Sequence, residues 1–281
     1  RGADYVDGLG PSIRDCCLLG ELRLAGADRP ADVGIAGLPS VAALGRAFDE
    51  VHGGLRRAPK FPSNLPVRLL LRAHRRTRDP EPRRRVAVTR EKMAAGGIHD
   101  QLGGGFHRYS TDAGWLVPHF EKMLYDNALL ALAYAEAWQV TGRRDLARVV
   151  HQTLDYLLRE MTSPEGVLFS ATDADSEGEE GRFFVWAERE IRDLLGPDAE
   201  RLVRFHGVTP EGNFEGRSIL WVPRPDEAEW EALAPARARL YEARSHRVPP
   251  LRDEKVLAGW NGLAISALAF GGRVLGEWRY V

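Results

Sequence analysis

Between Gly96 and Asn127 the chain reads GGIHDQLGGGFHRYSTDAGWLVPHFEKMLYDN, which gathers side chains able to move protons or hold a ligand. Asp100, His107, His119 and Asp126 are the candidates for proton transfer, since imidazole and carboxyl groups titrate near neutral pH once their surroundings shift them. The glycines let backbone approach a ligand, and Phe106, Tyr109, Trp115 and Phe120 offer flat apolar faces. That mixture suits the floor of a pocket. An aromatic-rich loop can also plug the end of a helical core, and both readings stand on the sequence.

The elements that must position these groups read mostly as helix. Residues 1–39 form an irregular lead-in rich in Gly, Pro and Asp, and 40–281 form a helical domain. Ser40 is the expected N-cap of a helix over Val41–Val51, stopped by His52-Gly53-Gly54. Further helices are expected over Leu65–Thr77, Pro82–Ala95, His119 to about Val140, Arg144–Met161, Glu188–Leu195, Ala199–Phe205, Glu227–Arg244 and Asp253–Leu275. Val167–Thr172 and Arg182–Trp186, short apolar-aromatic runs around an acidic turn, read as an inserted β-hairpin, and Ser218–Val222 as one more short strand. A helix ending in Gly-Gly, then a proline- and aromatic-rich loop, occurs at Gly53-Gly54 and again at Gly96-Gly97, a weak repeat of the kind that stacked helical hairpins produce.

If a helix starts at His119, its turn of about 100° per residue puts His119, Lys122 and Asp126 within about 60° of one another, on a face that Leu130 and Ala133 continue. Glu121 then points away and reads as a first-turn carboxylate favoured by the helix dipole, worth under about 1 kcal/mol. Lys122 and Asn127 join the candidates as ligand-binding groups; the plain alternative for His119 and Asp126 is a capping and ion-pair cluster with Lys122. Asp173 and Asp175 open a D-x-D-x-[DE]-G calcium pattern, but Phe184 stands where its bidentate glutamate belongs, so no metal is expected. The two aspartates are either a solvated acidic turn or carboxylates delivered to the pocket. Asp253 and Trp260 would share a helix face with Asn261 beside it, a set suited to a sugar or to an ordinary helix start. Trp115 and Trp260 are the rings expected to stack on a sugar.

Composition narrows the classes. The formal net charge of -1 gives no global pull toward nucleic acid or a membrane surface, and the arginines between Arg68 and Arg90 lack the interleaved aromatics of a nucleic-acid face. No apolar run reaches the roughly 18 residues of a membrane span. The two cysteines, Cys16 and Cys17, are adjacent, which excludes a disulfide framework and favours a cytoplasmic setting. No P-loop, nucleophile elbow, H-E-x-x-H or dinucleotide fingerprint occurs, so no cofactor is expected.

Three strings, GGIHDQLGGGFHRYSTDAGWLVPHFEKMLYDNALL, DADSEGEEGRFFVW and LRDEKVLAGWNGLAISAL, together with APKFP at Ala58–Pro62, resemble the thioredoxin-domain-containing family that includes YyaL and spermatogenesis-associated protein 20. The likeness runs from about Val41 to Gly276. It implies an (α/α)6 toroid similar to six-hairpin glycosidases and N-acylglucosamine 2-epimerases, preceded in the family by a thioredoxin-like domain. This sequence shows no thioredoxin-like domain and too few helices for twelve, so either it is a fragment or the ring is open; the expectation is an all-α, partial (α/α)6 toroid with a small inserted β-hairpin. The expected function is a carbohydrate-active enzyme-like module, glycoside hydrolase or sugar epimerase in type, with a small carbohydrate ligand and self-association through the incomplete ring. The alternative is a non-catalytic scaffold or binding module of a thioredoxin-like redox or folding protein. For a hydrolase, a carboxyl separation of about 5–5.5 Å suits retention and about 6.5–9.5 Å inversion.

Overall fold

A computed structural model describes residues 41–64 and 66–281. The lead-in, Cys16-Cys17 and the Ser40 cap lie outside the described residues.

Residues 41–47 are helical and make α1. Then come α2 (Val67–Thr77), α3 (Glu81–Ala95), α4 (Leu124–Thr141), α5 (Arg144–Glu160), α6 (Glu188–Leu195), α7 (Ala199–Phe205), α8 (Glu227–Ala232), α9 (Ala234–Ser245) and α10 (Ala258–Leu275). The expected helical class holds, and the hairpins form a partial α/α toroid. Helix α4 is the hub: its sequence LYDNALLALAYAEAWQVT is apolar on nearly every side, and α2, α3, α5 and α10 pack around it. Gly142 ends α4 in the left-handed conformation at φ 69°, and α5 turns back along it two residues later. A second core, centred on Trp186, Leu202, Trp230 and Leu240, joins α6 to α9.

The strands are two residues long. β1 (Tyr109–Ser110) pairs with β2 (Pro118–His119), and β5 (Asp175–Ser176) with β6 (Glu179–Glu180). β3 (Lys122–Met123), β4 (Ala171–Thr172) and β7 (Arg252–Asp253) form a sheet ordered β3-β4-β7. Both outer strands run antiparallel to β4, so β3 and β7 point the same way. Each leads into a long helix, α4 and α10, which therefore run side by side with their N-terminal ends together.

Three expectations need correction. The inserted hairpin is Asp175–Ser176 with Glu179–Glu180; Ala171–Thr172 pairs elsewhere, 182–184 is a turn, and Ser218 makes only an isolated bridge to Trp186. The glycine pairs are no structural repeat: Gly53 and Gly54 both have positive φ, whereas Gly96 is extended. Helix α4 begins at Leu124, five residues after His119, and α10 at Ala258, five after Asp253. In both places ladder bonds claim the backbone groups that an earlier helix would use: Lys122 and Met123 pair with Thr172 and Ala171, and Arg252 and Asp253 with the same strand.

A different repeat does exist, at Glu121-Lys122-Met123-Leu124…Asn127 and Glu254-Lys255-Val256-Leu257…Asn261. Asn127 Oδ1 accepts from Phe106 N–H at 2.7 Å while its Nδ2 donates to Phe106 C=O at 3.0 Å. Asn261 clamps Leu168 in the same manner, at 2.9 Å and 2.9 Å. Each amide thus ties the first turn of a long helix to the chain ahead of it. Asn127→Ala is expected to cost about 1–3 kcal/mol in urea unfolding, because it strands buried Phe106 donor and acceptor groups. Asn261→Ala, at a less buried site, is expected to cost less; an equal or reversed order would refute the clamp.

Candidate functional site

The extended segment from Pro118 to Met123 decides where its side chains go. Alternation sends Phe120 and Lys122 inward and leaves His119 and Glu121 half-exposed on the other face. The shared helical face expected for His119, Lys122 and Asp126 does not form; a period of two replaces a period of 3.6.

Inward, Lys122 meets Asp100 and Arg244. Asp100 Oδ2 accepts from Lys122 Nζ at 2.9 Å, and both Asp100 oxygens accept from the Arg244 guanidinium at 2.9 Å. Asp100 Oδ1 also accepts from the Leu102 and Gly103 amides, and Lys122 Nζ donates to Gly104 C=O. Lys122 lies 4.4 Å from the Tyr156 ring centre. All three charged side chains are at most 3% exposed. Burial alone would push the Asp100 carboxyl up, but Arg244 and Lys122 outweigh it and hold the group well below the usual carboxylate range. His107 is buried beside this trio, its Nδ1 2.8 Å from Phe120 C=O, and burial together with Lys122 pushes it down to about 3. The cleft among His99, Asp100, His107 and Arg244 has about 20 Å³ of free space, room for one water-sized molecule and none for a sugar ring.

Several expected ligand groups are likewise built into the fold. Trp115 is 1% exposed and donates its indole N–H to His52 C=O at 2.8 Å, so it has no open face for stacking. Asn127 and Asn261 are the two clamps. Asp173 and Asp175 are exposed; Asp173 bonds the Ala174 amide, and among the described residues no His, Cys, Asp and Glu group is arranged to hold a metal. Asp253 lies in β7 and pairs with Lys255 at 3.0 Å, so it shares no helix face with Trp260. Of Asp100, His119, Asp126, Asp173 and Asp253, Asp100 alone lines the cleft beside Arg244.

The outward face is where open chemistry remains. Glu121 Oε2 accepts from Arg108 Nη1 at 2.7 Å and lies 3.7 Å from His119 Nε2. His119 Nδ1 is 2.7 Å from Glu180 Oε1 and the ring stacks on Tyr109 at 5.0 Å. One residue into the helix, Tyr125 meets Trp260 edge-on at 4.8 Å. Asp126 follows, 5% exposed. Burial pushes its carboxyl up to about 7; Arg108 and Tyr125 pull the other way, and Glu121 adds to the rise. Asp126 and Glu121 are therefore carboxyl groups in unlike surroundings, one desolvated and one bridged to a guanidinium. Burial, then the Asp126 charge, raise the Tyr125 phenol to about 12.

A helix starting at His119 turns Glu121 away from the other groups; the alternation of Phe120 and Lys122 with His119 and Glu121 is the sequence signal that favours the strand. Arg108 pairs across β1–β2 and Glu180 comes from β6, so neither is visible locally. Arg244, 144 residues from Asp100, carries no sequence signal of its role.

No protein-family model matches the chain. It is 37% identical to human spermatogenesis-associated protein 20 over a 279-residue alignment, covering 85% of this chain and 36% of that protein. The mouse counterpart is 36% identical, with 85% and 35% covered. Among solved structures, an inactive variant of the family 76 glycoside hydrolase α-1,6-mannanase of Salegentibacter sp. HEL1_6, in complex with α-1,6-mannotriose, matches with a TM-score of 0.45 at 12% identity, covering 79% of this chain and 44% of that one. A sugar epimerase from a ruminal bacterium matches with a TM-score of 0.41 at 12% identity, covering 94% and 83%. By its own elements and site, the chain is a hairpin-built helical protein with outward carboxylates at the entry to α4. Within that class it is a relative of the spermatogenesis-associated protein 20 proteins, as its sequence strings lead one to expect, and it spans little more than a third of their length.

Proposed function

We propose that this chain is a carbohydrate-active enzyme-like module, glycoside hydrolase or sugar epimerase in type, whose working groups are Asp126 and Glu121 with His119 beside them. The carrying observation is the unlike pair of carboxyls. A group pushed to about 7 keeps a proton near neutral pH and can donate it to a leaving oxygen, while its arginine-bridged neighbour serves as base or nucleophile. His119, set between two glutamates, offers a second proton acceptor of the kind that epimerisation uses. Asp100 and His107 leave the reading: one is locked between two cations, the other is neutral and enclosed.

A cytoplasmic setting is supported by cysteine usage; among the described residues no helix is long and apolar enough to cross a membrane. Self-association is supported by apolar side chains left open along and around α10, with Ile265 61% and Trp278 80% exposed. The rival, a non-catalytic binding module, draws on one observation: most polar groups of Gly96–Asn127 are spent on internal bonds.

Saccharide-dependent thermal stabilisation separates the readings. Under the enzyme-like reading, mono- or disaccharides raise the melting temperature of the wild type, and the ligand-induced part of that rise is lost in Glu121→Gln and His119→Ala. No shift with any saccharide would leave the binding-module reading in place.

A further inference from the structure

The groups around Glu121 form a rim, a run of contacts in which carboxyls outnumber guanidinium groups. Glu121 stands at the middle of a chain of contacts. On one side His119 leads to Tyr109, which packs against Phe61 at 4.9 Å. On the other, Arg108 leads through Tyr125 to Trp260. Phe61, Tyr109, Tyr125 and Trp260 all keep part of their surface open. Aromatic surface therefore lies on both sides of the carboxyls.

The charged groups point to the ligand's own charge. Arg108 is the guanidinium of the rim, and Glu121 bridges it. Glu121, Asp126 and Glu180 are carboxyls, and Glu180 is taken up by His119 and the Phe120 amide. Around Glu121 the guanidinium of Arg108 is already bridged, and an incoming anion there would face the Glu121 and Glu180 carboxylates. Hydroxyl groups, by contrast, can donate to the carboxylate oxygens and rest their C–H faces on the rings.

Building on the proposed carbohydrate function, we propose that the rim binds an uncharged oligosaccharide lying across the carboxyls, with one sugar unit against Tyr109 and another against Trp260. A monosaccharide would use only one of the two faces. Acidic glycans would be turned away.

The experiment is isothermal titration of the full chain with neutral oligosaccharides of one to four units and with matched uronate-containing ones, at low and high salt. Affinity should rise on the order of tenfold or more from one unit to three, because a second aromatic face is engaged. Tyr109→Ala and Trp260→Ala, which remove partly open rings, should each erase that gain. Equal affinity for one unit and three, or tighter binding of the acidic series, would overturn this inference and leave the carbohydrate reading intact. Failure of every saccharide to bind would overturn both. Circular dichroism of each variant shows that a lost gain reflects the missing ring and not unfolding.

Discussion

Replacing Asp126 by asparagine is expected to make the protein more stable at pH 8 and to leave it nearly unchanged at pH 4. The folded chain holds this proton up to about 7, whereas the unfolded chain releases it near 3.8. Between those values the folded state binds more protons, so rising pH favours unfolding. Above pH 7 the buried carboxylate is ionised and its full penalty is present, on the order of 4 kcal/mol from the span of the two values. Asparagine is nearly the same size and stays neutral, so the variant's stability should be flatter across that window. Urea unfolding of both proteins at pH 5, 6.5 and 8 measures the difference. Parallel curves would mean that Asp126 titrates as an ordinary carboxylate, and the proton donor of the proposed mechanism would go with it. A position that costs stability at working pH suits a residue kept for chemistry.

The second large effect has the opposite sign. Asp100→Asn removes the carboxylate that Lys122 and Arg244 share, leaving two buried cations facing each other. Breaking such a buried set typically costs about 3–5 kcal/mol. Asp100 is held well below its ordinary value of 3.8, so its contribution is present above that pH and is lost as pH falls toward the folded value. The wild type should therefore weaken in acid more than the variant does, and the gap between them should be widest at pH 6–7 and narrow toward pH 3. A triple replacement, Asp100→Leu with Lys122→Met and Arg244→Met, should recover much of the loss, since well-packed apolar groups often match a buried ion set. Failure of Asp100→Asn to destabilise at pH 7 would refute the trio as a tie between α9 and the Gly104 loop.

Much of the scaffold is legible in the chain. The run LYDNALLALAYAEAWQVT is apolar on nearly every side and closes with Gly142, so it specifies a central helix. Arg144–Glu160 and Glu188–Leu195 follow from the same periodic logic, and their observed ends lie within a residue of those expected. What misleads is the entry into the long helices. His119 to Met123 and Asp253 to Leu257 contain acceptable helix formers, and local preference continues α4 and α10 back through them. Pairing with Ala171 and Thr172, a strand brought in from beyond α5, overrides that preference.

That override divides the site. Residue types, the glycine-rich approach and the concentration of titratable groups between Gly96 and Asn127 are properties of the sequence by itself, and so is the likeness to spermatogenesis-associated protein 20. Only tertiary structure decides which groups are used up. It sends Lys122 to Asp100 and Arg244, encloses His107 and Trp115, and turns Glu121 outward beside Asp126. The physical reason is that a two-residue strand reverses each side chain with every step. A distant partner strand therefore chooses which side chains enter the buried ion lock and which, like Glu121, face outward.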